Sequence, residues 1–238
     1  MELSDIIRQA RKYGDIASVR RLKYLPYKME TAMAVFSHIG KQMCPSFVVD
    51  DENRWCYEQL IKWLHADDTM QALDPVTGAT VPGRLTKGIY LAGNTGSGKS
   101  LALAIMSIYR RVDNIMLYVN EEKVCLSYKP IRVDEICDAY AKTGDITKYK
   151  RMAILCVQDF GSEPTDTQYM GNRINVMQQI LEYRGDRQDL VTLISTNYSL
   201  SNPKIVQMYG SRVVSRLKEM CNYIVLKGAD RRTTTNNP

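Results

Sequence analysis

Histidine and tryptophan are scarce in this chain, with two residues each in 238, and phenylalanine occurs three times. His38 and His65 lie far apart. The six cysteines (Cys44, Cys56, Cys125, Cys137, Cys156, Cys221) form no C-x-x-C pair. This scatter excludes the usual zinc patterns, and a chain of this length has no need of a disulfide framework. Reduced thiols and a cytoplasmic protein are therefore expected. No apolar run approaches the length of a membrane span. Residues 1–25 carry Arg8, Arg11, Lys12, Arg20 and Arg21 without the long apolar stretch of a secretory leader. No membrane partner is expected.

What is present points elsewhere. Hydrophobic residues make up 45% of the chain, enough for one substantial core with a smaller appendage. The net charge of +6 permits an acidic partner such as nucleic acid without requiring one. The fifteen tyrosines suit half-buried packing with wet hydroxyls, or stacking on bases.

One octapeptide carries most of the chemistry. Gly93-Asn94-Thr95-Gly96-Ser97-Gly98-Lys99-Ser100 fits the phosphate-loop pattern G-x-x-x-x-G-K-[ST]. The glycines let successive backbone N–H groups turn inward around a polyphosphate. Lys99 brings a point charge to its outer phosphates, and Ser100 offers a hydroxyl to Mg²⁺. The context is right as well. Gly88–Ala92 reads as a short buried strand. Leu101, Ile105, Ile108 and Val112 recur at helical spacing, so a helix would aim its positive end at the same anion.

The remainder divides into regions. Residues 1–45 read as helical and basic, with Met29, Met33, Phe36, Gly40 and Met43 on one face. That stripe suits packing on its own domain, or a partner helix. Residues 52–66 form another helix. Residues 67–87 contain Asp74-Pro75, Thr77-Gly78 and Val81-Pro82-Gly83, and read as loop or linker. From Gly88 strands and helices alternate: strands at Gly88–Ala92, Ile115–Val119, Ala153–Val157, Leu190–Ser195 and Tyr223–Leu226, helices at Val133–Ala141, Gln168–Tyr183, Pro203–Tyr209 and Ser211–Met220. Such alternation implies an α/β fold with a mainly parallel sheet flanked by helices. The polar tail after Asp230 is expected to fray.

A phosphate loop needs a carboxylate at a neighbouring strand tip to hold Mg²⁺ and orient water. Ile154-Leu155-Cys156-Val157-Gln158-Asp159 supplies one in Asp159. The first of the two positions usually acidic in such ATPases is Gln158, a neutral amide. Either Asp159 takes over the metal role, or nucleotide binding with weak hydrolysis is the working state. Glu163 is a further carboxylate within reach. Asn197, closing the strand Leu190–Ser195, could bond the γ-phosphate or the attacking water, or simply form an Asx-turn. Arg212 and Arg216 stand one helical turn apart, and such an arginine can reach a neighbouring subunit's γ-phosphate.

Taken in order, G-N-T-G-S-G-K-S at 93–100, I-L-C-V-Q-D-F-G-S-E at 154–163, S-T-N at 195–197, S-R-L at 215–217 and G-A-D-R-R at 228–232 resemble the AAA+ ATPases of the DnaC/IstB type, the replicative-helicase loaders and transposition ATPases. The resemblance spans roughly residues 86–232. It implies an AAA+ core over 88–232 with a five-stranded sheet, a helical partner-binding region at 1–66, a linker at 67–87, a flexible tail at 233–238 and no C-terminal lid. It implies ATP and Mg²⁺ as ligands, bound by residues 93–100, Leu101 and Arg232. Lys99 and Ser100 match Walker A, and Asp159 the water-activating position of Walker B. Asn197 matches the first sensor, Arg216 an arginine finger acting in trans, and Arg232 the terminal arginine. Gln158 departs from the family's aspartate.

The implied partners are a replicative helicase or transposase, single-stranded DNA and further copies of the chain. Lys123, Lys129, Arg132, Lys142, Lys148, Lys150 and Arg151 would contact DNA backbone, or form a solvated surface. Three functions follow: a helicase-loader-like ATPase in DNA replication, a nucleotide-gated scaffold or transposition accessory with little hydrolysis, or a small-molecule kinase. The chain has no visible acceptor-binding motif for the last.

Overall fold

The computed structural model describes residues 2–12, 21–119 and 122–230. The chain runs α1 (Leu3–Lys12), β1 (Arg21–Leu22), α2 (Met29–Met43), α3 (Arg54–Leu64), β2 (Gln71–Leu73), β3 (Thr80–Pro82), β4 (Gly88–Gly93), α4 (Lys99–Val112), β5 (Met116–Val119), β6 (Glu122–Cys125), β7 (Pro130–Arg132), α5 (Val133–Thr143), α6 (Thr147–Arg151), β8 (Ile154–Phe160), β9 (Thr167–Tyr169), β10 (Asn172–Ile174), α7 (Val176–Gly185), β11 (Val191–Thr196), α8 (Pro203–Met220) and β12 (Cys221–Leu226). The fold is α/β. Its five-stranded sheet has the order β12-β4-β11-β8-β7, and every pairing is parallel.

The apolar run of β4 is explained by its central position, where both faces are covered. Side chains alternate across a strand. Ile89 and Leu91 therefore join one core with Leu103 and Met106 of α4, while Tyr90 and Ala92 join the other with Ile180 of α7 and Leu217 of α8. The first core also takes in Phe36 of α2 and Leu60 and Trp63 of α3. The methionine stripe thus packs on its own chain through Met33, whereas Met43 is exposed. Trp63 Nε1 donates to the carbonyl of Lys87 at 2.8 Å, tying α3 to the foot of β4.

Several local expectations are corrected. The helical N-terminal stretch is two separate helices, α1 and α2. Within 67–87 lies the antiparallel hairpin β2–β3. Of the turn residues read as linker, Asp74-Pro75 and Thr77-Gly78 form the hairpin's own turn, in which Asp74 Oδ1 accepts from the backbone N–H of Val76 (3.0 Å) and of Thr77 (2.7 Å), while Val81 and Pro82 lie in β3. The strand at 115–119 lies outside the main sheet, and β5 pairs antiparallel with β1 and β6. Its place at the edge belongs to β7, too short to show an apolar run. The helix expected from Gln168 starts at Val176, capped by Asn175 Oδ1 on the N–H of Gln178 at 3.0 Å. Before it comes the hairpin β9–β10, turned by Met170 (φ 45°) and Gly171 (φ 84°). The helices on either side of Gly210 are as expected. They run together as α8, broken at that residue (φ 81°, ψ 158°). Among the described residues all six cysteines are free, and no helix is long and apolar enough to cross a membrane.

Two buried polar side chains brace the second core. Arg184, at the end of α7, is 0% exposed. It donates to Thr192 Oγ1 (2.9 Å) and to the carbonyls of Met152 (2.7 Å) and Val191 (2.5 Å), clamping the entries to β8 and β11. Glu163 is 6% exposed. Its carboxylate accepts from Tyr209 Oη at 2.5 Å and from the N–H of Gly161 at 2.8 Å. Burial pushes its pKa above the ordinary 4.5.

Arg184→Met strands several buried carbonyls. It should lower the unfolding free energy by about 3 kcal/mol or more, read as a shifted midpoint at unchanged slope in urea. For Glu163 the folded chain holds its proton more tightly than the unfolded chain. The stabilisation is complete below pH 4.5 and is lost as pH rises through the raised folded value. Glu163→Gln should flatten that pH dependence in melts from pH 4 to 8.

Candidate functional site

The loop between β4 and α4 opens into a cleft of about 780 Å³. Gly98 caps α4 in the left-handed region (φ 92°, ψ 16°), and so turns the chain tightly enough to present the helix N-terminus inward. Thr95, Gly96, Ser97, Gly98, Lys99, Ser100 and Leu101 all line the cleft. Gly93 closes β4, and Asn94 contributes its carbonyl, which accepts from Lys99 Nζ at 2.6 Å. Ser97 Oγ is buried within the loop, where its residue is 1% exposed, and among the described residues it has no hydrogen-bond partner. A buried hydroxyl of this kind is costly unless a ligand satisfies it, so the loop fits a polyphosphate.

The opposite wall is built by a bulge. β11 pairs with β8 in even register up to Ile194–Val157, and the register then shifts so that Thr196 meets Phe160. The extra residue is accommodated at Asp159, which has φ 59°. Aspartate tolerates this conformation better than most residues, although such backbone costs of order 1–3 kcal/mol. Thr196 Oγ1 pins the bulge by donating to the carbonyl of Phe160 at 2.6 Å.

Consecutive strand residues ordinarily face opposite ways. Here both Gln158 and Asp159 reach Ser100. Gln158 Nε2 donates to the Ser100 carbonyl at 3.0 Å, and Ser100 Oγ lies 3.4 Å from Asp159 Oδ1. The hydroxyl and the carboxylate are hard oxygen donors on one side of the loop, a set that suits Mg²⁺. Gln158 spends its amide on the first turn of α4.

Three neighbours were not foreseen from sequence. Ser195 Oγ is 3.4 Å from Ser100 Oγ and 3.4 Å from the N–H of Asp159. Arg132, expected among the DNA-facing cations, instead lines the cleft. Its Nη1 lies 3.4 Å from Asp159 Oδ2, and its Nε and Nη2 donate to Asp134. Both carboxylates and the guanidinium are well exposed, so these pairs contribute little to stability. The third is an apolar wall of the cleft, formed by Pro45, Phe47 and Val48 from the connection between α2 and α3 and by Tyr57 of α3. Only spatial proximity identifies it, since those residues carry no motif.

Other expected residues are placed variously. Asn197, at the tip of β11, lines the cleft. Glu163 is turned into the second core by its bonds to Tyr209 and Gly161, and does not line the cleft. Arg216 is not among the lining residues. It pairs within its own chain with Asp186 and, at 3.3 Å, with Glu219. Arg232 lies outside the described residues. Within G-A-D-R-R, the carboxylate of Asp230 packs so closely on Gly96 that any side chain there would collide with it.

No family profile matches the chain, and no curated protein matches it. Solved structures do. A Streptococcus pyogenes serotype M3 protein, provisionally assigned as a primosome component, superposes with a TM-score of 0.53 at 19% identity, covering 82% of this chain and 97% of that one. The DnaC helicase loader gives 0.41 at 20% identity, over 59% of this chain and 78% of its own. AMPPCP-bound DnaA from Aquifex aeolicus gives 0.46 at 16% identity, over 78% and 50%. Identity this low speaks to architecture, and only the first superposition is close enough to support it. With its all-parallel five-stranded sheet and its loop at the tip of β4, the chain shares the architecture of the first of these structures.

Proposed function

We propose that this chain binds and hydrolyses ATP and acts in DNA replication as a helicase-loader-like factor. The observation that carries the reading is the cleft itself. A phosphate loop with an orphaned buried hydroxyl at Ser97 faces a bulged strand that turns Asp159 toward Ser100. The provisional primosome assignment of the Streptococcus protein supports a role in replication.

In this reading the backbone of residues 93–98 cradles the phosphates, and Lys99 neutralises their outer charge. Ser100 and Asp159 would hold Mg²⁺, which supplies charge neutralisation between phosphates when bound. Asn197 orients the attacking water, and the apolar wall of Phe47 and Tyr57 takes the base. Arg216 acts in trans. It must leave Asp186 and Glu219 to reach a second copy, so assembly and catalysis are coupled. The helical region 1–66 faces a helicase or transposase, and cations of α5 and α6 contact single-stranded DNA. The core extends over 88–232.

One observation favours a second reading, a scaffold gated by nucleotide with little turnover. Gln158 brings no charge to the metal side of the cleft, and its amide is committed to the carbonyl of Ser100.

ATP turnover by the full chain, with and without single-stranded DNA, separates the two. Lys99→Ala should reduce nucleotide binding and turnover by at least about 100-fold. Turnover that responds to DNA supports the loader-like ATPase. Binding without turnover in either condition supports the scaffold. Under the scaffold reading Gln158→Asp should raise turnover about tenfold or more, and no change would show that the missing charge is not what limits hydrolysis.

A further inference from the structure

We infer that a second cleft, between the β2–β3 hairpin and the start of β12, binds a nucleotide unit of single-stranded nucleic acid through its phosphate. The cleft has a volume of about 450 Å³, within the range that holds a small ligand. Arg84, Lys87, Lys218, Asn222, Leu73 and Pro82 are among the residues that line it. Cys221 pairs with Gly88 at the opposite end of β4 from the phosphate loop. At roughly 3.3 Å per residue, the six residues of β4 put the two sites about 16–20 Å apart.

The electrostatics of this cleft are unbalanced. Arg84 and Lys218 are exposed and Lys87 is half-buried. Lys87 Nζ donates to the backbone carbonyl of Lys218 at 2.9 Å, which ties it to the end of α8. Desolvation and the charge of Arg84 both push the Lys87 pKa down, so like charges are held close here. Among the described residues none of the three makes an ion pair. The carboxylate at the rim, Asp74, is engaged chiefly by the turn of its own hairpin at Val76 and Thr77 and only weakly feels the charge of Lys218. Glu219, which also acts on Lys87, pairs with Arg216. An incoming phosphate would relieve this repulsion.

The site is also built before any ligand arrives. Asn222 is 4% exposed. Its Oδ1 accepts from the N–H of Arg84 at 2.8 Å, and its Nδ2 donates to the carbonyls of Arg84 (2.9 Å) and Gly88 (3.1 Å). A buried amide therefore fixes the backbone that carries the arginine. Leu73 and Pro82 give the cleft an apolar side against which a sugar or base can lie. Cations on two elements beside an apolar wall fit a sugar-phosphate strand better than an acidic peptide, which offers no ring to that wall.

The inference rests on the nucleic-acid contact of the proposed function, and one experiment separates their fates. Binding of a fluorescent oligo-dT strand to the full chain is followed by anisotropy across a salt series. Three proteins are compared: the natural chain, Arg84→Ala/Lys218→Ala, and Lys129→Ala/Lys142→Ala/Lys148→Ala. The first double variant should weaken binding about tenfold or more and reduce the slope of log affinity against log salt by about 1–2, with binding of an ATP analogue and melting temperature unchanged. The triple variant should also weaken binding and lower the salt slope, because the contact at α5 and α6 is separate from this cleft.

A double variant that binds like the natural chain while the triple variant binds weakly would overturn this cleft and spare the DNA contact at α5 and α6. Absence of strand binding by the natural chain would remove the cleft and the DNA contact together, while retained ATP-analogue binding would leave the nucleotide site standing. Competition by dTMP as strong as by the strand, or by poly-glutamate as strong as by unlabelled oligo-dT, would overturn the strand assignment in favour of a free nucleotide or an acidic protein.

Discussion

Parallel pairing at the centre of the sheet governs the rest of this molecule. β4 is bonded on both sides, to β11 and β12, so its groups cannot turn to water and its faces must be covered. Helices therefore lie above and below, and the parallel strands all leave the sheet at one edge. At that edge three strand tips converge: Gly93 of β4, Thr196 of β11 and Phe160 of β8. A cleft outside the carboxyl ends of the strands follows from the topology before any side chain is considered.

Position alone does not make a site. The bulge at Asp159 changes which side chains face the loop, because one inserted residue overrides strand alternation and turns two neighbours toward Ser100. The local conformational strain sits where the chemistry would occur, while the bonds from Thr196 and Arg184 that hold the strands in place lie behind it.

The sequence was most legible where a backbone demand selects particular residues. The phosphate loop, β4, α4, β8, β11 and the break at Gly210 were visible because glycine spacing and apolar runs report directly on those demands. The hairpins were not. Asp74-Pro75 and Thr77-Gly78 show that the chain turns, but not that three residues on either side then pair. Met170-Gly171 sat inside an apolar window long enough to imitate a helix. β7 escaped because three residues carry no period. At the site, Thr95–Leu101, Asp159 and Asn197 do gather around one cleft. The placements of Arg132, Ser195, Phe47 and Tyr57 depend on folding at long range and leave no local pattern. Glu163 shows the converse, since a carboxylate close in sequence to the site is drawn inward by a tyrosine 46 residues away.

The cleft belongs to two parts of the chain at once. Its phosphate loop is the β4–α4 turn, and its apolar wall is the bridge between α2 and α3 together with Tyr57 of α3. Affinity for whatever fills it and the docking of those two helices are then a single coupled equilibrium. Anything that loosens α2 and α3 by binding to them must weaken the cleft by some factor, and occupancy of the cleft must weaken that binding by the same factor. The N-terminal helices are in this sense one arm of a reciprocal balance whose other arm is the site.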